Sequence, residues 1–174
     1  MPTHHSGPDE ERLALDVYIK LARATTAVDA AVNRPLLHHG LTVSQFGVLE
    51  ALLHLGPLGH GAIGRKILKS SGNVTTVIDN LCRLGLVTRE DDPNDRRVRR
   101  VVLTTEGRRR VEGLLPAHVL RVRDAFSNLS ADEQRTLADL LRRLGRANAE
   151  ATGDGNSTNP RSPSPAPGAK RGTP

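Results

Sequence analysis

Two groups of polar residues lie close together in the sequence, and both have side chains suited to contacting a nucleic acid. The first group consists of short, uncharged donors and acceptors: Ser70, Ser71, Asn73, Thr75 and Thr76. At the start of a helix, such side chains can touch base edges in the major groove at a small desolvation cost. The free N–H groups of that helix end would also attract a phosphate. The alternative is a surface helix with a solvated polar face, although such faces are usually rich in Glu and Lys.

The second group is a run of arginines at or just after the segment DDPND: Arg96, Arg97, Arg99 and Arg100. Arginine is the preferred side chain for insertion into a narrow minor groove. Asp95 precedes the run and could orient a guanidinium through a bidentate ion pair. A solvated, salt-bridged turn is the alternative explanation of this charge pattern.

Helical periodicity accounts for the part of the chain that precedes these groups. The apolar face of a long first helix consists of Leu13, Val17, Leu21, Val28 and Val32. Pro35 should end this helix. Thr42 and Gln45 form a capping box for a second helix, which Gly56 and Pro57 should end.

A short third helix is expected over about 60–68, where three glycines weaken it. Ser70 or Ser71 then caps a fourth helix, and Gly85 is a suitable residue just beyond its end. The apolar stripe of this fourth helix has helical spacing: Val74, Val77, Ile78, Leu81 and Leu84. Its polar face carries the first group described above.

The pattern then changes to a hairpin followed by two helices. The segments LVTRE and VRRVVL are prone to form strands and flank the turn DDPND. Thr104 or Thr105 should cap a fifth helix, which Pro116 should kink. Ser130 and Glu133 form a second capping box, which opens a last helix. The predicted fold class is therefore mostly α with a small β-hairpin.

Composition narrows the possible functions of the 174 residues. Lys and Arg total 25 against 19 Asp and Glu, which gives a net charge of +6 and a sequence pI near 10.4. Because the chain is basic, we expect a polyanionic partner. Aromatic residues make up 2% of the chain, which argues against a β-sandwich and against the aromatic stacking platforms that bind single-stranded nucleic acid. No apolar run is long enough to span a membrane, and the polar N-terminus lacks the apolar core of a signal peptide. We therefore expect a soluble, cytoplasmic protein without a membrane partner.

The chain resembles the MarR family of winged helix-turn-helix transcriptional regulators. The resemblance rests on LTVSQFGVLEAL, on IGRKILKSSGNVTTVIDNLCRLGLVTRE and above all on DDPNDRRVRRVVLTTEG. The last string matches the family's D-x-R wing motif followed by a strand and L-T-x-x-G. The glycine-rich third helix, GHGAIGRK, departs from the family pattern and could be frayed or mobile without DNA.

The resemblance implies a winged helix-turn-helix over about 41–107, flanked by dimerisation helices over about 10–37 and 105–147. It also implies a homodimer with one recognition helix per half-site of double-stranded DNA and one wing per minor groove. Asp95 and Arg97 match the D-x-R motif, so Arg97 would enter the minor groove while Asp95 holds it. Residues 1–9 and the Pro-, Gly- and Ser-rich residues 151–174 are expected to be disordered, leaving a folded domain over 10–150.

The remaining candidates concern control of DNA binding. Tyr18, His38, His54 and His118 could line the effector pocket that the family resemblance implies, or lie at the surface or core edge. Cys82, the single cysteine, is expected to be a core residue, with a redox switch as the alternative. The histidines lack the spacing of a metal site, and no catalytic or nucleotide-binding motif is present, so we expect no metal, no cofactor and no enzyme.

The sequence thus predicts a repressor that a small aromatic or phenolic effector releases from a pseudopalindromic operator. Three alternatives are a constitutive or architectural DNA-binding protein, a repressor that responds to oxidation of Cys82, and a protein-interaction module with a degenerate helix-turn-helix.

Overall fold

A computed structural model describes residues 4–67, 71–93 and 99–151. The chain divides between Asn128 and Leu129 into two compact units. The first unit contains five helices and three short strands in its described part: α1 (Asp9–His38), α2 (Val43–Leu55), β1 (Leu58–Gly59), α3 (His60–Ile67), α4 (Ser71–Arg83), β2 (Val87–Asp91), β3 (Arg99–Leu103) and α5 (Thr105–Ala125). The second unit contains α6 (Ala131–Ala151).

The strands form an antiparallel sheet in the order β1-β3-β2. The predicted hairpin is its β2–β3 half, in which Val87 lies opposite Leu103 and Asp91 lies opposite Arg99. The two-residue strand β1 was not predicted, and it pairs Leu58 with Val101. The mostly helical fold class with a small hairpin is confirmed.

The predicted helix caps are present where the structure describes them. Thr42 and Gln45 form the capping box of α2, with the Thr42 N–H donating to Gln45 Oε1 at 2.8 Å. Thr104, rather than Thr105, caps α5 by accepting the Gly107 N–H at 2.9 Å. The Ser130 N–H donates to Glu133 Oε2 at 2.8 Å before α6. The predicted cap of α4 at Ser70 or Ser71 lies outside the described side chains.

The prediction that Pro35 ends the first helix is wrong. The helix α1 continues through Pro35 to His38, although proline removes one N–H from the helical ladder. Leu36 is fully buried in the core, and its carbonyl accepts hydrogen bonds from the N–H groups of His39 and Leu41. Packing of Leu36 therefore keeps the last turn helical, and Gly40, with a φ of +69°, turns the chain out of it.

The core of the first unit lies between α2, α4, the sheet and parts of α1, α3 and α5. Its fully buried side chains include Leu36, Leu49, Leu52, Ile63, Val74, Ile78, Leu81, Val101 and Val111. Leu84, predicted to continue the buried stripe of α4, is 52% exposed because it lies beyond the end of that helix. Cys82 is partly buried and packs against the core. In the described part of the chain, no helix combines the length and the apolar character needed to cross a membrane.

Candidate nucleic-acid interface

The helix α4 presents a polar face opposite its buried stripe. Val74, Ile78 and Leu81 have no exposed surface, whereas Asn73 and Thr75 are exposed. Thr76 is exposed as well, and its Oγ1 donates to the Gly72 carbonyl at 3.4 Å. Ser70 and the side chain of Ser71 lie outside the described part. The predicted reading side chains that are described therefore share the solvent face of one helix.

A contact between α3 and α4 was missed by sequence reasoning. His60, the first residue of α3, places its Nε2 at 3.3 Å from Thr75 Oγ1. This hydrogen bond ties the start of α3 to a predicted DNA-reading residue. The two residues lie fifteen positions apart and belong to no shared motif, so the sequence carried no signal for the pair.

A second missed contact joins α4 to the hairpin. Arg89 on β2 donates from Nη2 to Asp79 Oδ1 on α4 at 2.5 Å. This hydrogen bond is the main reason that the pKa of Arg89 is raised above its usual value. Since Asp79 lies on the helix and Arg89 on the strand, the ion pair fixes one element against the other.

The described residues of the wing carry paired arginines. Arg99 Nε lies 3.4 Å from Asp91 Oδ1, across the antiparallel pair formed by β2 and β3. Arg100 Nε lies 3.2 Å from Asp92 Oδ2. The predicted contact residues Asp95, Arg96 and Arg97 lie outside the described residues, so their arrangement stays a prediction.

Thr104 joins the wing to α5. Its Oγ1 donates to the Gly85 carbonyl at 2.7 Å, and its N–H donates to the Leu86 carbonyl at 3.1 Å. The same hydroxyl accepts the N–H of Gly107. One residue thus connects the turn after α4, the end of β3 and the first turn of α5.

A cavity of about 970 Å³ lies beside these elements, between α1, α2 and α3. Its wall contains apolar surface from α2 and α3, including Val43, Leu55 and Ile67. The titratable groups of its wall are Asp29, Glu50, His54 and Lys66. A cavity with this lining can hold a small, partly apolar molecule with a charged or hydrogen-bonding group.

Of the four predicted pocket residues, His54 lines this cavity, whereas Tyr18, His38 and His118 do not. Tyr18 is 68% exposed on α1, and His38 is exposed at the end of the same helix. His118 on α5 packs against Phe46 with the ring centroids 4.6 Å apart. Burial lowers the pKa of His118, and the charge of Arg121 lowers it further, although the charge of Glu50 opposes the shift.

Comparison with known proteins agrees with this architecture. A model of the MarR family matches residues 39–98. The uncharacterised HTH-type transcriptional regulator YkoM of Bacillus subtilis is 41% identical over 137 residues, which cover 79% of this chain and 89% of that protein. The chain belongs to the MarR family. Its members are DNA-binding transcriptional regulators rather than enzymes, and this chain is one of them.

Two solved structures share the fold. Bordetella bronchiseptica BpsR, described with a mechanism for regulation of its DNA binding by 6-hydroxynicotinic acid, is 29% identical with a TM-score of 0.67. The match covers 74% of this chain and 98% of BpsR. A MarR family regulator of Streptomyces coelicolor, solved in complex with DNA, is 25% identical with a TM-score of 0.71, covering 84% of this chain and 92% of that one.

Proposed function

We propose that this MarR family regulator is a ligand-responsive repressor, which binds a pseudopalindromic operator as a homodimer and is released by a small aromatic acid or phenol. The observation that carries the proposal is the cavity between α1, α2 and α3, because its wall includes Lys66 and Ile67, the last described residues before the recognition helix α4. A molecule bound there would contact the helix that directly precedes the DNA-reading element. Since its partner is DNA, the proposed place of action is the cytoplasm.

The proposed dimer would use the long outer helices. These helices expose many large apolar side chains: Leu13, Leu15, Val17 and Tyr18 on α1, Val119, Leu120 and Val122 on α5, and Leu140, Leu141 and Leu144 on α6. Large apolar side chains exposed in such numbers usually mark an interface. Light scattering at micromolar concentration should give the mass of a dimer, and a monomer would contradict this part of the proposal.

The proposed DNA complex places α4 in the major groove and the arginine-rich wing in the minor groove. Arg97→Ala should weaken operator binding by about 1–3 kcal/mol if Arg97 reaches the base edges. Arg135→Ala is a matched control, because Arg135 pairs with Asp132 on α6, outside the winged helix-turn-helix. Fluorescence anisotropy on a duplex from the protein's own upstream DNA measures both variants. Unchanged affinity in the Arg97 variant would remove that residue from the complex.

The proposed effector is an aromatic acid or phenol because Lys66 and His54 lie in the wall of the cavity, although Asp29 and Glu50 lie there as well. Lys66 can pair with a carboxylate or phenolate, and His54 can hydrogen-bond a hydroxyl group, while the apolar wall covers a ring. The hydroxylated aromatic acid that regulates BpsR has this chemistry. A tenfold loss of DNA affinity requires a coupling free energy of about 1.4 kcal/mol between the two sites.

The experiment measures operator affinity with and without a panel of hydroxybenzoates, hydroxynicotinates and neutral phenols. Lys66→Met should abolish the response to the acids, whereas Lys20→Met, on the exposed face of α1, should retain it. For each variant, the readout is the ratio of its operator affinity without the compound to its affinity with the compound, because Lys66 could also influence DNA binding directly. If neither these compounds nor oxidants change the affinity, the result overturns the proposed effector and favours a constitutive DNA-binding protein. If only oxidants do and Cys82→Ser removes their effect, a thiol switch replaces the proposed effector.

A further inference from the structure

The described residues of the wing have no net charge, although the chain as a whole is strongly basic. Residues 87–93 and 99–103 contain three arginines, which are balanced by three acidic residues: Arg89, Arg99 and Arg100 against Glu90, Asp91 and Asp92. Each of these arginines forms an ion pair with an aspartate. A surface built for maximal phosphate binding would leave such arginines unpaired, since aspartates repel phosphates.

The three ion pairs differ in what they join. The Arg89–Asp79 pair connects the wing to α4, and the Arg89 side chain is only 29% exposed. The Arg99–Asp91 pair lies within the hairpin, and its side chains are 67% and 60% exposed. The Arg100–Asp92 pair is less exposed, its side chains being 30% and 18% exposed. The first pair therefore positions two elements, whereas the second holds no further element in place and lies open to solvent.

We propose that Asp91 and Asp92 restrain the wing arginines Arg99 and Arg100 and so limit the sequence-independent affinity of the protein for DNA. This inference rests on the DNA binding of the wing, and it assigns the two aspartates an opposing role within it. Successive residues of a strand point to opposite faces, so Arg99 and Arg100 would reach phosphates on the two sides of the hairpin. The exposed Arg99–Asp91 pair is weak, so Asp91 reduces a phosphate contact without preventing it, whereas the less exposed Arg100–Asp92 pair holds its arginine more firmly.

The size of the effect follows from counterion release. Each phosphate contact contributes about 0.9 to the slope of log affinity against log salt concentration. Asp91→Asn, which keeps the shape of the side chain and removes its charge, should steepen this slope by up to about 0.9 per wing, or up to about 1.8 in a dimer. The ratio of affinities at roughly 50 and 200 mM salt should accordingly increase by as much as about tenfold. Asp92→Asn should act in the same direction.

Three further variants separate this role from a general effect of charge or of structure. Asp91→Glu keeps the charge and should leave the slope as in the wild type. Asp124→Asn removes a carboxylate that is 63% exposed and paired with Arg123, close in exposure to Asp91. Asp124 lies near the far end of α5, about 30 Å along the helix from the wing. Asp79→Asn also removes one negative charge, but it should weaken DNA binding because it releases Arg89 from α4.

The test is fluorescence anisotropy with a duplex of arbitrary sequence at several salt concentrations, using the full chain and checking each variant by its thermal unfolding. A steeper slope for Asp91→Asn, with unchanged slopes for Asp91→Glu and Asp124→Asn, supports the proposal. An unchanged slope for Asp91→Asn, or an equal change in Asp124→Asn, overturns it. If the wild-type protein binds neither this duplex nor its upstream DNA, the DNA-binding assignment fails, which is a separate result.

Discussion

Replacing Gly107 by alanine should destabilise the fold far more than the same replacement at Gly113 on the same helix. Gly107 is buried in the first turn of α5. A Cβ atom added there would overlap the carbonyl oxygen of Leu86. It would also lie 2.8 Å from the carbonyl carbon of Leu86 and 3.2 Å from Leu103 Cδ2. The obstacle is backbone, which cannot rotate away as a flexible side chain can. At Gly113, by contrast, an added Cβ meets no atom within 4 Å outside its own helix.

The loss of unfolding free energy in Gly107→Ala can be estimated from the groups that must move to make room for the added Cβ. Overpacking of a fitted core costs about 1–3 kcal/mol. Moving Leu86 away also strains the hydrogen bond from the Thr104 N–H and the cap that Thr104 gives to Gly107, each worth about 1 kcal/mol. The better helix propensity of alanine offsets about 0.5–1 kcal/mol of this loss in unfolding free energy. We therefore expect Gly107→Ala to lose about 2–4 kcal/mol of unfolding free energy, and Gly113→Ala to gain about 0.5–1 kcal/mol.

Urea unfolding followed by circular dichroism measures both values. All variants must be compared at one protein concentration, because association makes apparent stability depend on concentration. If the unfolding free energy of each variant falls with urea concentration at the same slope, the unfolded state has not changed. If Gly107→Ala stays within about 1 kcal/mol of the wild type, α5 does not pack on the Leu86 carbonyl as described, and the reasoning is refuted.

Three further predictions concern pH, capping and the C-terminal residues. Burial lowers the pKa of His118, so the unfolded chain binds the proton before the folded chain does as the pH falls below about 6.5, and the folded state loses stability. His118→Phe should reduce this loss of stability, measured as the urea midpoint of unfolding from about pH 7.5 to 5.5. Thr104→Val should cost about 1–2 kcal/mol through the lost cap, whereas Thr105→Val, at an exposed neighbouring position, should cost a few tenths in the same assay. Removal of residues 152–174, which contain few apolar side chains, should leave the melting temperature unchanged, and a large fall would show that they pack on the fold.

The helix caps could be predicted because their interactions are local. Thr42 and Gln45 lie three residues apart, so the sequence alone brings them together. The strand β1 could not be predicted, because its two residues pair with β3 more than forty positions later. The end of α1 was misjudged for a related reason. A local rule about Pro35 was overridden by the burial of Leu36, which depends on distant parts of the chain.

The candidate site shows the same division. The exposed polar face of α4 followed from helical spacing against a buried stripe, which the sequence displays. The pocket candidates were chosen by residue type, and the cavity contains one of them, His54. A positional signal was nevertheless available, because Gly47, Glu50, Ala51 and His54 share the spacing of one helical face. The Asp79–Arg89 ion pair required the tertiary structure, since a helix and a strand meet there.

The helix α3 offers a physical route between the cavity and the proposed DNA-reading face of α4. Its first residue, His60, hydrogen-bonds Thr75 on α4, and Lys66 near its other end lines the cavity, about 9 Å away along the helix axis. Among its eight residues only Ile63 is fully buried, and the glycines at positions 61 and 64 lower its helix propensity. A short helix with one fully buried side chain and two glycines can shift at a small free-energy cost. A ligand that displaces Lys66 would therefore shift His60 on the same helix and act on Thr75 through their hydrogen bond. The coupling free energy needed for a tenfold change, about 1.4 kcal/mol, is no larger than that of one good hydrogen bond.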